Sequence, residues 1–256
     1  MTEFEKEIIT RTEAISNNKV LNELSVQFMN ESIVPKYSYN FLWMGRPIIQ
    51  YPQDMVAMQE IIWDLKPDLI IEIGIAHGGS LILSASMLAM IDIAEAIENK
   101  ITYDPTKSQR KVLGVDIDIR EHNKKAIDSH PMSNWIEMIQ GSSISQEIID
   151  KVKSFAKDYD RILVCLDSNH THAHVLAELE AYAPLTSVGS YCVVFDTVIE
   201  DVPASVFPDR PWGPGDNPKT AVQNYLAANS NFEIDKSIQQ KLLITVAPDG
   251  YLKRVK

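Results

Sequence analysis

Positive charge is scarce in this sequence: 24 Lys and Arg stand against 35 Asp and Glu, a formal charge of −11. No basic run interrupts the acidic background, so neither nucleic acid nor an anionic membrane is expected as the main partner. Cysteine is almost lacking. Cys165 and Cys192 both sit in apolar, strand-like runs, where they are expected as buried thiols of a reducing compartment, the cytoplasm, rather than as a disulfide. Residues 1–11 are charged and lack an apolar h-region, so no signal peptide is expected. No segment is expected to reach bilayer-spanning length, and no internal repeat or low-complexity run is present.

What the chain does have is apolar residue, 45% of 256 positions, enough for one sizeable core. The expected organisation is an N-terminal helical and aromatic extension over 1–52, then a single structural unit over 53–256. Within residues 2–31, Phe4, Ile8, Ile15, Leu21, Leu24 and Phe28 recur at loosely helical spacing. They predict one or two helices laid on the body or on a partner copy, so a homo-oligomer is expected. The aromatic-dense stretch over 37–47 shows no clear period. It either lines a pocket or packs as an irregular arm.

The centre of the sequence is Leu69-Ile-Ile-Glu-Ile-Gly-Ile-Ala-His-Gly-Gly-Ser80. Its apolar run predicts a strand buried on both faces. The run breaks at Gly74, turns through Gly78 and Gly79, and continues as a helix over 81–91. A strand, a glycine turn and a helix bring backbone N–H groups against a polar ligand. The alternative is an ordinary turn whose glycines serve tight packing. Glu72, inside the strand end, is costly to bury without a partner.

Four more strand-like runs follow, over 112–116, 135–139, 161–167 and 191–196, separated by helical segments. A polar surface excursion is expected over 95–110. The alternation predicts a mostly parallel twisted sheet with helices on both faces. Ligands of such sheets bind beyond the C-terminal strand ends, where Asp116, Asp167 and Asp196 all fall. A Pro- and Asp-rich stretch over 197–217 reads as a lid or binding loop, or else as disordered. Asp249-Gly250 between the apolar runs 242–246 and 251–255 predicts a hairpin whose strand closes the sheet antiparallel.

A dinucleotide wants Gly-x-Gly-x-x-Gly and an acid about 20 residues on. The turn here lacks that glycine spacing, and Asp116 lies too far along the chain. S-adenosylmethionine fits better. Glu72, the turn through Gly74, His77, Gly78 and Ser80, Asp116 for a ribose diol, and Gly141-Ser142-Ser143 for adenine form the arrangement of class I methyltransferases, whose fold is Rossmann-like. His77 either touches the cofactor or serves the turn.

The segments Trp43-Met-Gly-Arg-Pro-Ile-Ile-Gln-Tyr-Pro-Gln-Asp54, Glu72–Ser80, Gly114-Val-Asp-Ile-Asp-Ile-Arg120, Leu166-Asp-Ser-Asn-His-Thr-His-Ala-His-Val175 and Pro211-Trp-Gly-Pro-Gly-Asp-Asn-Pro-Lys-Thr220 together resemble the cephalosporin hydroxylase family, related to rhamnosyl O-methyltransferases. The resemblance covers residues 35–255. It implies S-adenosylmethionine-dependent O-methylation of a small glycosylated or saccharide-type substrate, often with Mg²⁺ and in oligomers. In related macrolide-sugar methyltransferases an Asp-x-x-His after the fourth strand supplies a metal ligand and the base. Here Asp167 and His170 stand in those places, and Asp167 also adjoins the cofactor. The acidic pair of the fifth strand is incomplete: Asp196 matches its second member, but Phe195 replaces the first and cannot ligate Mg²⁺. The expected metal pair is Asp167 with Asp196, with Glu200 or Asp201 as substitutes from the loop; the alternative is a weakly held or absent metal, with base catalysis by His170 carrying the reaction. Two other functions stay open. His170 and His174, four apart, could join Asp167 in an iron site for an oxygenase, the activity the family name carries. The chain could instead be a non-catalytic, cofactor-binding partner subunit.

Overall fold

The strand β3 (Leu69–Ile73) is buried along its whole length at the middle of a seven-stranded sheet. A computed structural model describes all 256 residues. The sheet adds β4 (Lys111–Asp116) and β5 (Ile136–Gln140) on one side of β3, and β6 (Ile162–Leu166) and β7 (Tyr191–Val194) on the other. These five strands are parallel. Beyond β7 the edge is β9 (Tyr251–Arg254), antiparallel to its neighbours, and then β8 (Phe232–Ile234). The strand order reverses between β3 and β6, so the crevice of an open α/β sheet opens above their C-terminal ends.

Alternation along the strands sends side chains to two cores. Ile70, Leu163, Cys165 and Val193 pack under α3 (Pro52–Leu65) and α4 (Gly79–Asn99). Leu69, Ile71, Ile73, Val164 and Leu166 pack against α6 (Gln146–Ala156), α7 (His172–Tyr182) and α8 (Pro218–Ala228). Glu72 shares the parity of Ile70 and so faces α4. Pro52 opens α3, where its missing N–H is no loss. Before them, α1 (Glu3–Ser16) is closed by a capping box from Thr2 and Glu5, yet none of its residues is buried. In α2 (Lys19–Ile33), Met29 reaches the core. A short helix, α5 (Glu121–Asp128), follows β4.

Four expectations need correction. The aromatic stretch is not irregular: β1 (Phe41–Trp43) and β2 (Arg46–Ile48) form a hairpin, turned by Met44 and Gly45 at positive φ. Trp43 Nε1 donates to Ser86 Oγ at 3.0 Å and docks the hairpin on α4. Second, α4 is 21 residues and apolar enough, by length and composition, to span a bilayer; most of it is instead buried in the core. Third, α4 continues through Asn99, so the excursion starts later, and its last residue is not on the surface. Arg110 is buried and pairs with Asp92 and with Glu95 of α4. Fourth, residues 242–246 are not a strand. The carboxylate of buried Asp54, at the start of α3, accepts from the Val246 N–H (3.0 Å), the Thr245 hydroxyl and the Tyr251 hydroxyl (2.8 Å). That bond takes the donor a sheet ladder needs, and β8 pairs with β9 in its place. The chain before it forms α9 (Lys236–Leu242) and then turns at Leu243, φ +61°.

Candidate active site

The glycine turn after β3 is fastened from three directions. Asp116, ending β4, accepts from the backbone N–H groups of Ile75 (2.8 Å) and Ala76 (3.2 Å). Arg46 of the hairpin donates through Nε to the His77 carbonyl (3.1 Å) and through Nη2 to Asn123 Oδ1 (3.0 Å). Asn123 Nδ2 donates in turn to the Ala76 carbonyl at 3.0 Å. The turn thus uses the carbonyl of His77. Gly74 adopts φ +107°, and a Cβ there would lie 2.1 Å from the Asp167 carbonyl oxygen. No other residue fits. At Gly79 the hairpin presses equally close, since a Cβ would meet the Pro47 carbonyl at 2.2 Å.

Glu72 is buried and accepts a hydrogen bond from Ser84 of α4. Burial raises its pKa, while the hydroxyls of Ser84 and Ser80 pull it back down. Glu72, Gly74, Ser80 and Asp167 line one cavity with Gln50, Asp54 and a wall of Met55, Met58, Leu83 and Phe195. Of the cofactor candidates, Glu72, Gly74, Gly78, Ser80, Asp116 and Asp167 therefore gather at the adjacent ends of β3, β4 and β6. Ser142 lies one strand further out, after β5, where its carbonyl accepts from Ser145 N–H (3.0 Å) and Oγ (2.9 Å).

Asp167, His170 and Asp196 come together, each offering a ligand atom within 4.8 Å of the others. His170 Nε2 lies 3.2 Å from Asp196 Oδ2. Asp196 turns the chain at φ +57°, a conformation Asp tolerates better than most residues. Burial, then the nearby Asp196 charge, raise the pKa of Asp167 well above the usual carboxylate range. Phe195 is buried in the apolar core and cannot serve as the missing acid. Neither loop substitute is free. Glu200 Oε2 accepts from the Gly215 N–H (2.8 Å) and from Asn217 Nδ2, and Asp201 pairs with Lys219 Nζ at 2.6 Å.

The two-histidine iron arrangement does not assemble either. His170 precedes Thr171, the residue that caps α7, so it does not share a helix face with His174. His174 Nε2 instead meets Glu178 Oε1 at 3.1 Å and Ser143 Oγ at 3.1 Å. His172 docks on α8, its Nδ1 2.8 Å from Thr220 Oγ1, and its N–H is capped by Asp216 at 2.6 Å.

Two site residues escaped the sequence reading. Gln50 donates from Nε2 to Asp167 Oδ2 at 3.2 Å, and Trp212 meets His170 ring to ring. Both lie inside the segments quoted for the family resemblance, which was the only available signal. Neither periodicity nor spacing points to them.

The fold and the acid-tipped crevice define a class I S-adenosylmethionine-dependent methyltransferase. The model of one family, rhamnosyl O-methyltransferase/CmcI, matches residues 35–255, and the chain belongs to that family. The rhamnosyl O-methyltransferase of Mycobacterium tuberculosis is 31% identical over 226 residues, 85% of this chain and 82% of that protein. Its Mycobacterium leprae counterpart is 30% identical over 214 residues, 83% and 82% of the two chains. Among solved structures, CmcI with Mg and SAM superposes with a TM-score of 0.55 at 18% identity, over 85% of this chain and 78% of that one. Apo CalS11, a TDP-rhamnose 3'-O-methyltransferase, gives 0.51 at 16% identity over 99% and 95%.

Proposed function

We propose that this chain transfers the sulfonium methyl of S-adenosylmethionine to a hydroxyl of a rhamnose-type or other sugar-containing acceptor, with His170 as general base and Mg²⁺ assistance at Asp167 and Asp196. One observation carries the reading: Asp167, His170 and Asp196 converge beside the glycine turn of a methyltransferase sheet. The relatives named rhamnosyl O-methyltransferase support the sugar acceptor.

The backbone of residues 74–80 forms the cofactor cradle, with Asp116 as acceptor for the ribose hydroxyls and Ser142 at the adenine end. Glu72 and Ser80 take the amino-acid end, and His77 and Gly78 shape the turn between. Methyl transfer is in line, so donor and hydroxyl have to be aligned before the proton leaves. An ionised Asp196 only accepts, so the Nε2–H of His170 donates to it and the Nδ1 lone pair is left to receive the hydroxyl proton. Asp196 then stabilises the imidazolium that forms. The donor set fits Mg²⁺, which takes one or two carboxylates and keeps several waters. Bound by Asp167 and Asp196, the ion would stabilise the developing alkoxide. A partner copy over the exposed apolar residues of α1 belongs to the same reading, because a short helix that buries none of its residues gains little from its own chain.

Neither an iron oxygenase nor an inactive partner subunit is favoured, since His174 is engaged away from Asp167 and a base lies in reach of the crevice. The test pairs calorimetric titration with S-adenosylhomocysteine and transfer of labelled methyl to a rhamnosyl glycoside. Wild type is expected to bind at micromolar affinity and to turn over. His170→Ala is expected to bind equally well and to lose turnover. Unchanged turnover in that variant removes His170 from the role, and absence of binding by folded wild type sinks the methyltransferase reading.

A further inference from the structure

Glu178, in the middle of α7, is completely buried. A buried carboxylate is expensive unless paired, and its only basic neighbour at ion-pair distance is His174, 3.1 Å away. It is not there to fill space: one oxygen, Oε1, accepts from Ser143 Oγ at 2.6 Å and from Ser168 Oγ at 2.5 Å. Its Oε2 has no partner. Ser143 lies in the turn after β5 and Ser168 in the turn after β6, directly after Asp167. β4 and β3 stand between those two strands in the sheet. A single oxygen atom therefore joins loops from opposite sides of the crevice. One turn on, the buried Tyr182 hydroxyl donates to the Ser143 carbonyl and holds the β5 side from a second point.

We propose that Glu178 is a positioning residue that fixes the adenine-side turn, residues 141–143, against the acceptor-side turn, residues 167–170. The inference rests on the functional reading above, which assigns those turns to cofactor and acceptor. Glu178 touches neither ligand. It acts through the two serines, whose hydroxyls converge on the same carboxyl oxygen.

The test uses two readouts that need no acceptor: calorimetric affinity for S-adenosylhomocysteine, and the ¹⁵N imidazole resonances of His170, assigned by their loss in His170→Gln. Glu178→Gln is expected to weaken affinity by about tenfold, the scale of one hydrogen bond lost from the paired serines, and to shift the His170 resonances as well. Ser143→Ala is expected to change affinity alone and Ser168→Ala the His170 resonances alone. A role confined to stability lowers the unfolding midpoint while leaving both readouts of the folded variant at wild-type values, and that result overturns the proposal. If Glu178→Gln does not fold, the serine variants decide: divided effects support the tie, and undivided or absent effects overturn it. Failure of wild type to bind S-adenosylhomocysteine overturns the functional reading itself, and the inference with it.

Discussion

The Trp212 indole meets the His170 imidazole edge-on, ring centroids 4.8 Å apart and planes at 89°. Trp212 comes from the 197–217 loop, and the Arg210 guanidinium lies over its ring, 5.1 Å from the centroid. The loop thus steadies the His170 ring as well as bordering the crevice. An edge-to-face aromatic pair is worth about 0.5–1.5 kcal/mol. Trp212→Ala is therefore expected to lower kcat/KM for a rhamnosyl glycoside by about tenfold, leave S-adenosylhomocysteine affinity unchanged, and be largely rescued by Trp212→Phe. Equal loss in both aromatic and alanine variants would show that the indole N–H, not the ring face, matters.

Asp116 links the end of β4 to the glycine turn through two backbone hydrogen bonds. Removing it takes away both the carboxylate expected at the ribose and the anchor of Ile75 and Ala76. Asp116→Ala is expected to weaken S-adenosylhomocysteine by roughly tenfold to hundredfold, at about 1.5–3 kcal/mol for a hydrogen bond to a charged group. Calorimetry reads this directly, and wild-type affinity in the variant would assign the ribose to another residue.

Two glycines at similar φ separate backbone strain from collision. Gly74 (φ +107°) lies against the Asp167 carbonyl, whereas Gly189 (φ +87°) has nothing within 4 Å of an added Cβ. Gly189→Ala is expected to cost about 1 kcal/mol, the price of the left-handed conformation. Gly74→Ala adds a clash and is expected to cost at least about 3 kcal/mol. Denaturant unfolding of both variants measures the difference; similar losses would contradict the close approach.

Burial raises the Asp54 pKa from 3.8 to about 6, against the lowering effect of its bonds to Thr245, Val246 and Tyr251. A carboxyl raised in the folded state contributes stability that is present below its ordinary value and is lost as pH climbs through about 6. The change corresponds to about 3 kcal/mol. Between pH 4 and pH 7, the unfolding free energy of Asp54→Asn is expected to move by up to that amount in the variant's favour relative to wild type. A difference independent of pH would mean that Asp54 titrates normally.

Much of this architecture was legible in the sequence because parallel strands buried on both faces announce themselves as nearly continuous apolar runs, as at residues 162–166 and, interrupted only by Glu72, at 69–73. The strand-terminal acids were readable for the same reason, and Asp167 and Asp196 do meet. Residues 242–246 misled because an apolar run says nothing about who takes its N–H groups, and Asp54, almost two hundred positions earlier, takes that of Val246. The histidines misled by two residues: with α7 starting at His172, the four-residue spacing of His170 and His174 carries no helical meaning. Glu178 was unreadable, since nothing local distinguishes it from a solvent-facing helix acid such as Glu180, which is exposed.

The loop over 197–217 is pinned at both ends. Glu200 holds Gly215 and Asn217, and Asp201 holds Lys219, which also reaches Asp249 at 3.4 Å. The arc between those clasps leaves and re-enters the body at fixed points, so its interior is a cassette. Doubling the length of such an arc adds only about 0.6 kcal/mol of closure entropy, while Val202, Val206 and Phe207 tie its first half to the core. Homologous arcs of other lengths that keep Trp212 and the apolar residues packed on the core should be exchangeable between the same two clasps, and acceptor preference would travel with the insert while the sheet beneath stays as it is.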